Sequence, residues 1–551
     1  MLRKWSTLKK SSFIEGTFIA TLAIVLVKIM GMLYVIPFYA IVGTTGAALY
    51  SYAYNIYNIF LDISTVGLPI AISKITNEFH TLKMYDAKKR AYEIAIKIMR
   101  FLSVAIFIIL FFFAYPIASF IIGDLTGGNT KAAVTAVIRT VSLAILVIPY
   151  LSVAKGYLQG HNVINISSIS NVLEQVVRIL VIIVGSFLAI KVFHLSYVVG
   201  VMVALSGAFL GGLVSYFYVK HKMNKNKKEL GLIAQKKKDK ITNKEITKKL
   251  ASYAIPYVII NSVSSLYSFV DMILVLRGLE LMGYATSDIE FISSSISTWA
   301  GKINMIVISI AMGMTISLIP SIVHAYTLKK WDDVNNKINA AFKIIAFVSL
   351  PMAIGLSLLS SEVWQVFYGA SKIGATILSV SVFVAVTLNF YMITSSIMQS
   401  LNKYKTVYIA TICGLLSNAI FDIPLMYLLN FVGLPAYIGP LVSSIIGYML
   451  SVFINLRTIK KEEKQINYKE SLKTIGKILV PSLVMFVVIF VLKSIIPFAA
   501  TSRLKAILII IFYAVIGVVI YGGISYKIGL FDEVLGKNLL SKITKKLKRE
   551  A

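Results

Sequence analysis

Apolar stretches of more than twenty residues recur fourteen times along this chain. No other feature restricts its fold as tightly, because a helix of about 20 apolar residues is what crosses the hydrocarbon core of a bilayer. The stretches lie near 14–41, 47–76, 97–122, 132–158, 165–190, 196–219, 251–277, 293–325, 337–360, 373–401, 405–430, 436–457, 477–497 and 505–528. Several are long enough to predict tilt, kinks or extension past the membrane. The first has a basic start (Arg3, Lys4, Lys9, Lys10), as a cleavable signal does, but it is too long and no A-x-A-like site follows. No row of short alternating segments suggests a β-barrel. Of the 551 residues, 58% are apolar and 14% charged, where a soluble protein carries roughly a quarter charged. A soluble enzyme, a disordered chain and, with Cys413 as the one cysteine, a disulfide scaffold are thereby excluded. The expected fold is an all-α polytopic membrane protein of fourteen transmembrane helices.

A formal charge of +31 fits such hydropathy only if the basic residues sit in loops. With the N-terminus in the cytoplasm, segments 1–13, 77–96, 159–164, 220–250, 326–337, 402–405, 457–477 and 527–551 are cytoplasmic and hold 39 of the 55 Lys and Arg. The outer loops and their edges hold six: Lys131, Lys191, Arg277, Lys372, Arg503 and Lys505. Cytoplasmic loops are enriched in Lys and Arg, so this bias predicts a multi-pass plasma-membrane protein with both termini in the cytoplasm. Most of the positive charge is topological and needs no nucleic-acid partner.

The longest soluble piece, 220–250, carries twelve Lys and little apolar content. It reads as a solvated cytoplasmic linker between two halves, with attraction to anionic inner-leaflet lipid as a second reading. Residues 81–123 and 327–369 align over 43 positions without a gap, and twelve are identical, among them Lys83/Lys329, Asp86/Asp332, Lys97/Lys343, Phe101/Phe347 and Gly123/Gly369. Gln159-x-x-Asn162 is echoed by Gln399-x-x-Asn402. The repeat unit is six helices. An even number preserves orientation, so the halves are expected to be related by a pseudo-twofold axis along the membrane normal. The expected organisation is an N-lobe over 1–219, the linker 220–250, a C-lobe over 251–457, a cytoplasmic loop 458–476, two further spans within 477–528 and a basic tail 529–551. Two facing six-helix lobes form a transporter plan, with substrate bound between them and alternating access by rocking.

Ionisable groups deep in the spans are costly and mark cavities or partners. Counted along the helices, Lys28 lies roughly 20 Å, Asp62 roughly 22 Å and Lys302 roughly 14 Å below the outer ends of the first, second and eighth spans. Two lysines at comparable depth in opposite halves suit an anion. Separate local partners would satisfy them equally well, and a Lys28–Asp62 pair would be purely structural. Gly31 and Pro37, Gly67 and Pro69, and Gly313 and Pro320 are expected to break or bend these spans toward a cavity. Lys74, at the end of the second span, joins the binding candidates, although it can also snorkel, as can Lys155 and Lys493. Glu174 and Arg178, spaced i,i+4 with the acid first, read as a structural pair. Arg277, ending the seventh span, is a candidate for recruiting or releasing a phosphate, or an interfacial anchor. Arg139, Asp271 and Asp422 lie nearer outer ends, where water or headgroup contact would suffice. Coupling to a monovalent cation, sodium or proton, would draw on Asp62, Asp271 or Glu174. The membrane potential, roughly 2.3 kcal/mol per charge per 100 mV, is the other energy source.

Catalytic chemistry finds little support. His80, His161, His194, His221 and His324 sit at span ends or in loops, with no two at a metal-binding spacing on one helix. There is no G-x-x-x-x-G-K-[ST] phosphate loop. No catalytic residue, metal or cofactor is expected, and Cys413 reads as an inert core residue.

The opening EGTFIATLAIVLVKIMGMLYVIPFYAIVGTTGAALYSYAYNIYNIFLDISTVGLPIAISK, the GYLQGHN…ISNVLEQVVRIL stretch and the span count resemble the polysaccharide-biosynthesis exporters of the multidrug/oligosaccharidyl-lipid/polysaccharide superfamily. The likeness is nearest the MurJ-type lipid II flippases of low-GC Gram-positive bacteria and their stage V sporulation protein B relatives, and it covers essentially the whole chain. It implies movement of an undecaprenyl-diphosphate-linked sugar peptide between leaflets. It also implies a cationic cavity lined by spans 1, 2, 7 and 8 and a lipid-facing groove beside spans 13 and 14. Lys28 in VKIMG and Lys302 in AGKINM match basic positions of that branch. Tyr34, and Leu61 beside Asp62, stand where the branch carries further basic residues, so the cavity would be less cationic. Beside a membrane-bound transferase, which the residues support least, two alternatives remain at this level. One is a flippase for another lipid-linked glycan, such as a capsule or spore-wall unit. The other is a cation-coupled drug exporter of the same superfamily, which would lean on acidic cavity residues.

Overall fold

The computed structural model describes residues 23, 26–65, 67–233, 239–496, 498 and 500–536. Arg3, Lys4, Lys9 and Lys10, residues 234–238 of the linker and the tail from 537 lie outside the described residues. Among the described residues every regular element is a helix. A chain in lipid must satisfy its backbone N–H and C=O groups internally, and a helix does so within one segment. Twelve helices among the described residues are long and apolar enough to span a bilayer, or thirteen if Asn243–Asn261 and Val263–Leu281, bent by 41°, form one span. The stretch Leu26–Thr81 counts once among these, yet it has 56 residues and carries the first two apolar runs of the sequence. As one straight helix it would be roughly 84 Å long, nearly three bilayer cores. Gly43, at φ 69° and ψ −175°, interrupts it between those runs.

The expected break at Gly67 falls beside Val66, which lies outside the described residues. In the eighth apolar stretch, the helix Ala300–Thr327 continues through Gly313 and Pro320. Proline already has a helical φ, and the single hydrogen bond it removes is tolerated in a membrane helix. The irregularity sits instead in a widened π turn over Ser295–Trp299, just before that helix.

The sequence repeat is reproduced in the backbone. Tyr85–Phe112 gives way to Ala114–Ile122, which stops at Gly123 with φ 59°. Trp331–Leu358 gives way to Ser360–Tyr368, which stops at Gly369 with φ 93°. Every one of these boundaries falls at the same position of the 43-residue alignment. Lys83 and Lys329 adopt φ 59° and 54°, and Asn162 and Asn402 adopt φ 60° and 59°. Left-handed non-glycine residues are uncommon, so their recurrence at matched places marks shared turns.

The chain forms two compact units. One comprises Met1–Leu276 and Glu280–Thr298, the other Arg277–Leu279 and Trp299–Ala551. In the first, Ala87, Ala91, Ala95 and Met99, four residues apart on one helix face, are buried with Ile72, Ile75, Phe79, Ala154 and Tyr157. Small side chains let helix axes approach where lipid offers no hydrophobic drive. Gly156 and Gly160 complete this contact: a methyl built on either would overlap the Pro69 or Ser73 carbonyl oxygen. In the second unit, Phe347, Ile478, Leu530 and Val534 join Trp331–Leu358 to Lys469–Ile495 and Leu530–Leu535. Lys403, in the turn before Tyr404–Phe431, reaches Glu462 at 2.7 Å, and that hydrogen bond holds its ammonium above the ordinary lysine value. Lys469–Ile495 and Arg503–Lys527 leave Leu483, Phe490, Val518 and Val519 exposed, faces suited to lipid.

The linker is more firmly docked than its composition suggests. Leu230 is buried in the first unit's core, and Tyr157 donates to its carbonyl at 2.7 Å. Asp239 accepts from the Ala87 N–H at 2.9 Å, an acid placed at the start of helix Tyr85–Phe112. Arg90 donates to Asp86 at 2.9 Å and to the Asp239 carbonyl at 3.2 Å.

Gly156→Ala should lower the thermal unfolding midpoint of the purified chain, overpacking costing about 1–3 kcal/mol. Gly476→Ala, at a helical position whose added methyl meets open space, should leave the midpoint unchanged or raise it. Equal midpoints for the two variants would refute the close-packing account.

Candidate functional site

Lys28 lies in the first unit and is partly buried. One turn on, Gly31 faces Gln175, whose amide nitrogen is 3.4 Å from where a Cβ would stand. Lys302 lies in the second unit, also partly buried, on Ala300–Thr327. Its turn of helix is pinned from both sides. Asn304 donates to the Ser381 carbonyl at 3.0 Å and hydroxyl at 3.1 Å, and Tyr368 donates to the carbonyl of buried Trp299 at 2.8 Å. Asp62 is partly buried and accepts from the Ser265 hydroxyl at 2.5 Å, which ties the second apolar run to the seventh within the first unit. Arg277 is partly exposed near the end of Val263–Leu281. Lys74 is exposed, with its ammonium 4.0 Å from the centre of the Tyr253 ring.

The expected Glu174–Arg178 pair is present, with Nη2 of Arg178 donating to Oε1 of Glu174 at 3.0 Å. It is part of a triad. Lys155 donates to Oε2 of Glu174 at 3.0 Å and to Oδ1 of Asn171 at 2.7 Å. Lys155 is only 9% exposed, so it does not snorkel; a carboxylate within reach holds it inside. Arg178 also interacts electrostatically with Tyr57, Tyr54 and Tyr50, the last two stacked with ring centroids 5.4 Å apart. Two cations share one carboxylate, which leaves a positive excess in the first unit. Lys493 likewise does not snorkel. It donates to the Leu358 carbonyl at 2.8 Å and pairs with buried Glu362 at 2.9 Å.

Asp422 is 0% exposed and Asp271 is 6% exposed, which overturns the expectation that water or headgroups serve them. Depth along a helix says nothing about lateral burial between helices. Asn418 donates to Asp422 at 3.1 Å and to the Ser444 hydroxyl at 3.2 Å. Arg139, by contrast, is exposed and donates to the Phe111 carbonyl at 3.1 Å.

A polar clasp in the first unit was not expected from the sequence. On Val35–Thr65, Ser51 hydrogen-bonds the Thr298 hydroxyl at 2.6 Å and the Ser297 hydroxyl at 3.2 Å. Asn55 donates to Thr298 at 2.9 Å and Ser297 at 3.3 Å. Further along, Glu290, 3% exposed, accepts from the Asn129 N–H and side-chain amide, both at 2.9 Å, and from the Tyr52 hydroxyl at 3.3 Å. Gly128 permits this approach, because a Cβ there would stand 2.7–2.9 Å from the carboxyl atoms. Thr286 adds a bond to the Thr126 carbonyl at 2.8 Å. A signal existed in the run S-S-S-I-S-T over 293–298, unusually hydroxylated for an apolar span.

A family profile for "Polysaccharide biosynthesis protein" matches residues 13–286, and the MatE profile matches residues 292–423. The chain is 29% identical over 545 residues to the lipid II flippase MurJ of Bacillus subtilis (strain 168), covering 96% of this chain and 98% of that one. It is 24% identical over 464 residues to stage V sporulation protein B of the same organism, covering 82% and 84%. Among solved structures, MurJ in an inward closed conformation superposes with a TM-score of 0.63 at 19% identity, covering 93% of this chain and 99% of that one. An inward-facing multidrug transporter of the MATE family gives 0.62 at 16% identity, covering 79% and 96%. The all-helical fold, its internal repeat and these matches define a membrane transporter, not an enzyme, of the multidrug/oligosaccharidyl-lipid/polysaccharide superfamily. Within that superfamily the chain belongs to the MurJ-like branch.

Removing the clasp's acceptor strands three buried donors. Glu290→Ala should lower the thermal midpoint clearly, at about 1–3 kcal/mol for each buried donor left unmet, and Glu290→Gln should lower it less because an amide oxygen still accepts. Indistinguishable midpoints for wild type and Glu290→Ala, read by thermal unfolding in detergent, would show the clasp to be energetically idle.

Proposed function

We propose that this transporter moves a polyprenyl-diphosphate-linked cell-wall precursor, lipid II, from the inner to the outer leaflet of the plasma membrane by alternating access. The likeness to the MurJ flippase over nearly the full length of both chains carries this reading. The chemistry of the chain supports it. A diphosphate needs cations in a shielded place, where charges interact more strongly than in water. Lys28 and Lys302 are partly buried lysines on apolar helices. A lysine is a compact point charge that can hold and release a phosphate without a rigid fork. Arg277 assists uptake or release of the phosphate. The polyprenyl tail stays in lipid along the exposed apolar faces of Lys469–Ile495 and Arg503–Lys527. No bond is made or broken.

In this reading both termini face the cytoplasm, because 39 of the 55 basic residues then lie in cytoplasmic segments, and the Glu290 clasp closes the outer end of the first unit. The cycle draws on the membrane potential or on a monovalent cation. Asp62, Asp271 and Glu174 are the candidate coupling carboxylates, and Asp271 is buried. The likeness to stage V sporulation protein B favours, as a second reading, another lipid-linked glycan such as a spore-wall unit.

Lys28→Ala and Lys302→Ala should each abolish growth support in a Gram-positive strain depleted of its own lipid II flippase, with membrane levels of the protein unchanged by immunoblot. A leaflet-accessibility assay should find lipid II retained in the inner leaflet. Normal growth with the double variant as the sole flippase would sink the lysine assignment. Failure of the wild-type chain to complement would transfer support to the second reading.

A further inference from the structure

The first unit contains a polar cleft that plays no part in the lysine site proposed above. Its volume is about 660 Å³, within the range of pockets that hold small ligands. It opens where Gly67–Thr81 packs on the end of Ile148–Gly160, and its walls present Ser73, Lys74, Asn77, Glu78, Gln159 and Asn162. The walls are stiff. Gly160 is pressed against the Ser73 carbonyl and the Thr76 side chain, and Asn162 sits in a left-handed turn at φ 60°. Glu78 is engaged by Lys249, and Lys74 is steadied over the Tyr253 ring. The hydroxyl of Ser73 and the side-chain amides of Asn77, Gln159 and Asn162 make no hydrogen bond among the described residues.

The polarity contributed by Gly67–Thr81 is not demanded by the fold. Carried back from Thr81/Thr327 through Gly67/Gly313, the repeat register sets Ile319, Pro320, Val323 and His324 at the positions of Ser73, Lys74, Asn77 and Glu78. The helix forms there equally well. At these positions one copy of the repeat carries a cation, an amide and a hydroxyl that the other copy does without, while Gln159 and Asn162 recur as Gln399 and Asn402. Amides and hydroxyls read hydroxyl and acetamido groups, and one ammonium suits one carboxylate or phosphate.

We propose that this cleft is a docking subsite for the head group of the lipid-linked precursor, an N-acetylated saccharide bearing an anionic substituent, with Lys74 meeting the anion and Asn77, Gln159 and Asn162 reading the sugar. The proposal rests on the flippase reading and deepens it. The cleft takes up the head group on the cytoplasmic side before the diphosphate reaches the lysines.

The test uses the purified full chain and a water-soluble head group without its lipid, UDP-N-acetylmuramoyl-pentapeptide, titrated by calorimetry. UDP alone and inorganic pyrophosphate form parallel arms. Binding of the muramoyl probe should weaken about tenfold, or about 1.4 kcal/mol, in Lys74→Ala and again in Gln159→Ala. Asn402→Gly, at the matched turn of the second unit, should bind as wild type does. No binding of the probe to wild type, equal binding by the Lys74→Ala/Gln159→Ala double variant, or equally tight binding of UDP or pyrophosphate alone would overturn the cleft assignment. Complementation by wild type reports separately on the flippase reading. If wild type complements while the double variant binds normally, only the cleft fails. If the probe binds through the cleft while wild type does not complement, the saccharide site stands and the lipid II reading fails.

Discussion

Polar groups carried into an apolar span have to be met from within the protein, because lipid offers them nothing. The backbone meets this demand by staying helical throughout the described residues. The side chains meet it by meeting one another. Glu174 holds two cations, Glu362 holds Lys493, Asp62 takes a serine hydroxyl and Glu290 takes three donors at once. None of these contacts would contribute much at a water-exposed surface. Here each is a condition of burial, since a buried donor or charge left without its partner is strongly penalised.

That demand also explains what was legible in the sequence and what was not. The helical class follows from the length of the apolar runs, and the matched turns at Lys83/Lys329 and Asn162/Asn402 follow from the 43-residue repeat. The Glu174–Arg178 pair was legible because i,i+4 neighbours meet on any helix. Lys155 and Lys493 were read as snorkelling because their partners lie on other helices, and sequence distance carries no information about such meetings. Of the break or bend expected at Pro320, the break is absent, and the helix runs on through it. Glu290 escaped notice because it falls just outside the apolar run that begins near 293, where a carboxylate looks solvated. The docking of the linker is hidden for a related reason: a few apolar side chains, Met223, Leu230, Ile246 and Leu250, and one capping aspartate hold it, and they do not show above a background of twelve lysines. Of the candidate site, the positions of Lys28 and Lys302 on apolar helices were legible, and the polar framework around them was not.

The two halves have kept their backbone and diverged in their polar inventory. Helix ends, the mid-helix breaks at Phe113 and Leu359 and the left-handed turns coincide across the repeat. The ion triad and the cleft side chains on Gly67–Thr81 have no such counterparts at matched positions: Ser73, Lys74 and Asn77 become Ile319, Pro320 and Val323. Duplication of a self-sufficient helical hairpin system leaves each copy free to lose or gain polar groups wherever packing alone already secures the fold.

The clasp around Glu290 has a further consequence. Its donors find acceptors while Val35–Thr65 lies against Thr286–Ser294 and the turn beyond it. Any state in which these helices part must supply replacements for Tyr52, Asn129, Ser51, Asn55 and Thr298 together, and only water is small and polar enough to do so. Parting this seam is therefore a hydration event, taking up several water molecules at once. A shape change that drinks water responds to the chemical potential of water, so osmotic stress acts directly on its equilibrium. The tonicity of the surroundings thereby weighs on the balance between the joined and the parted seam.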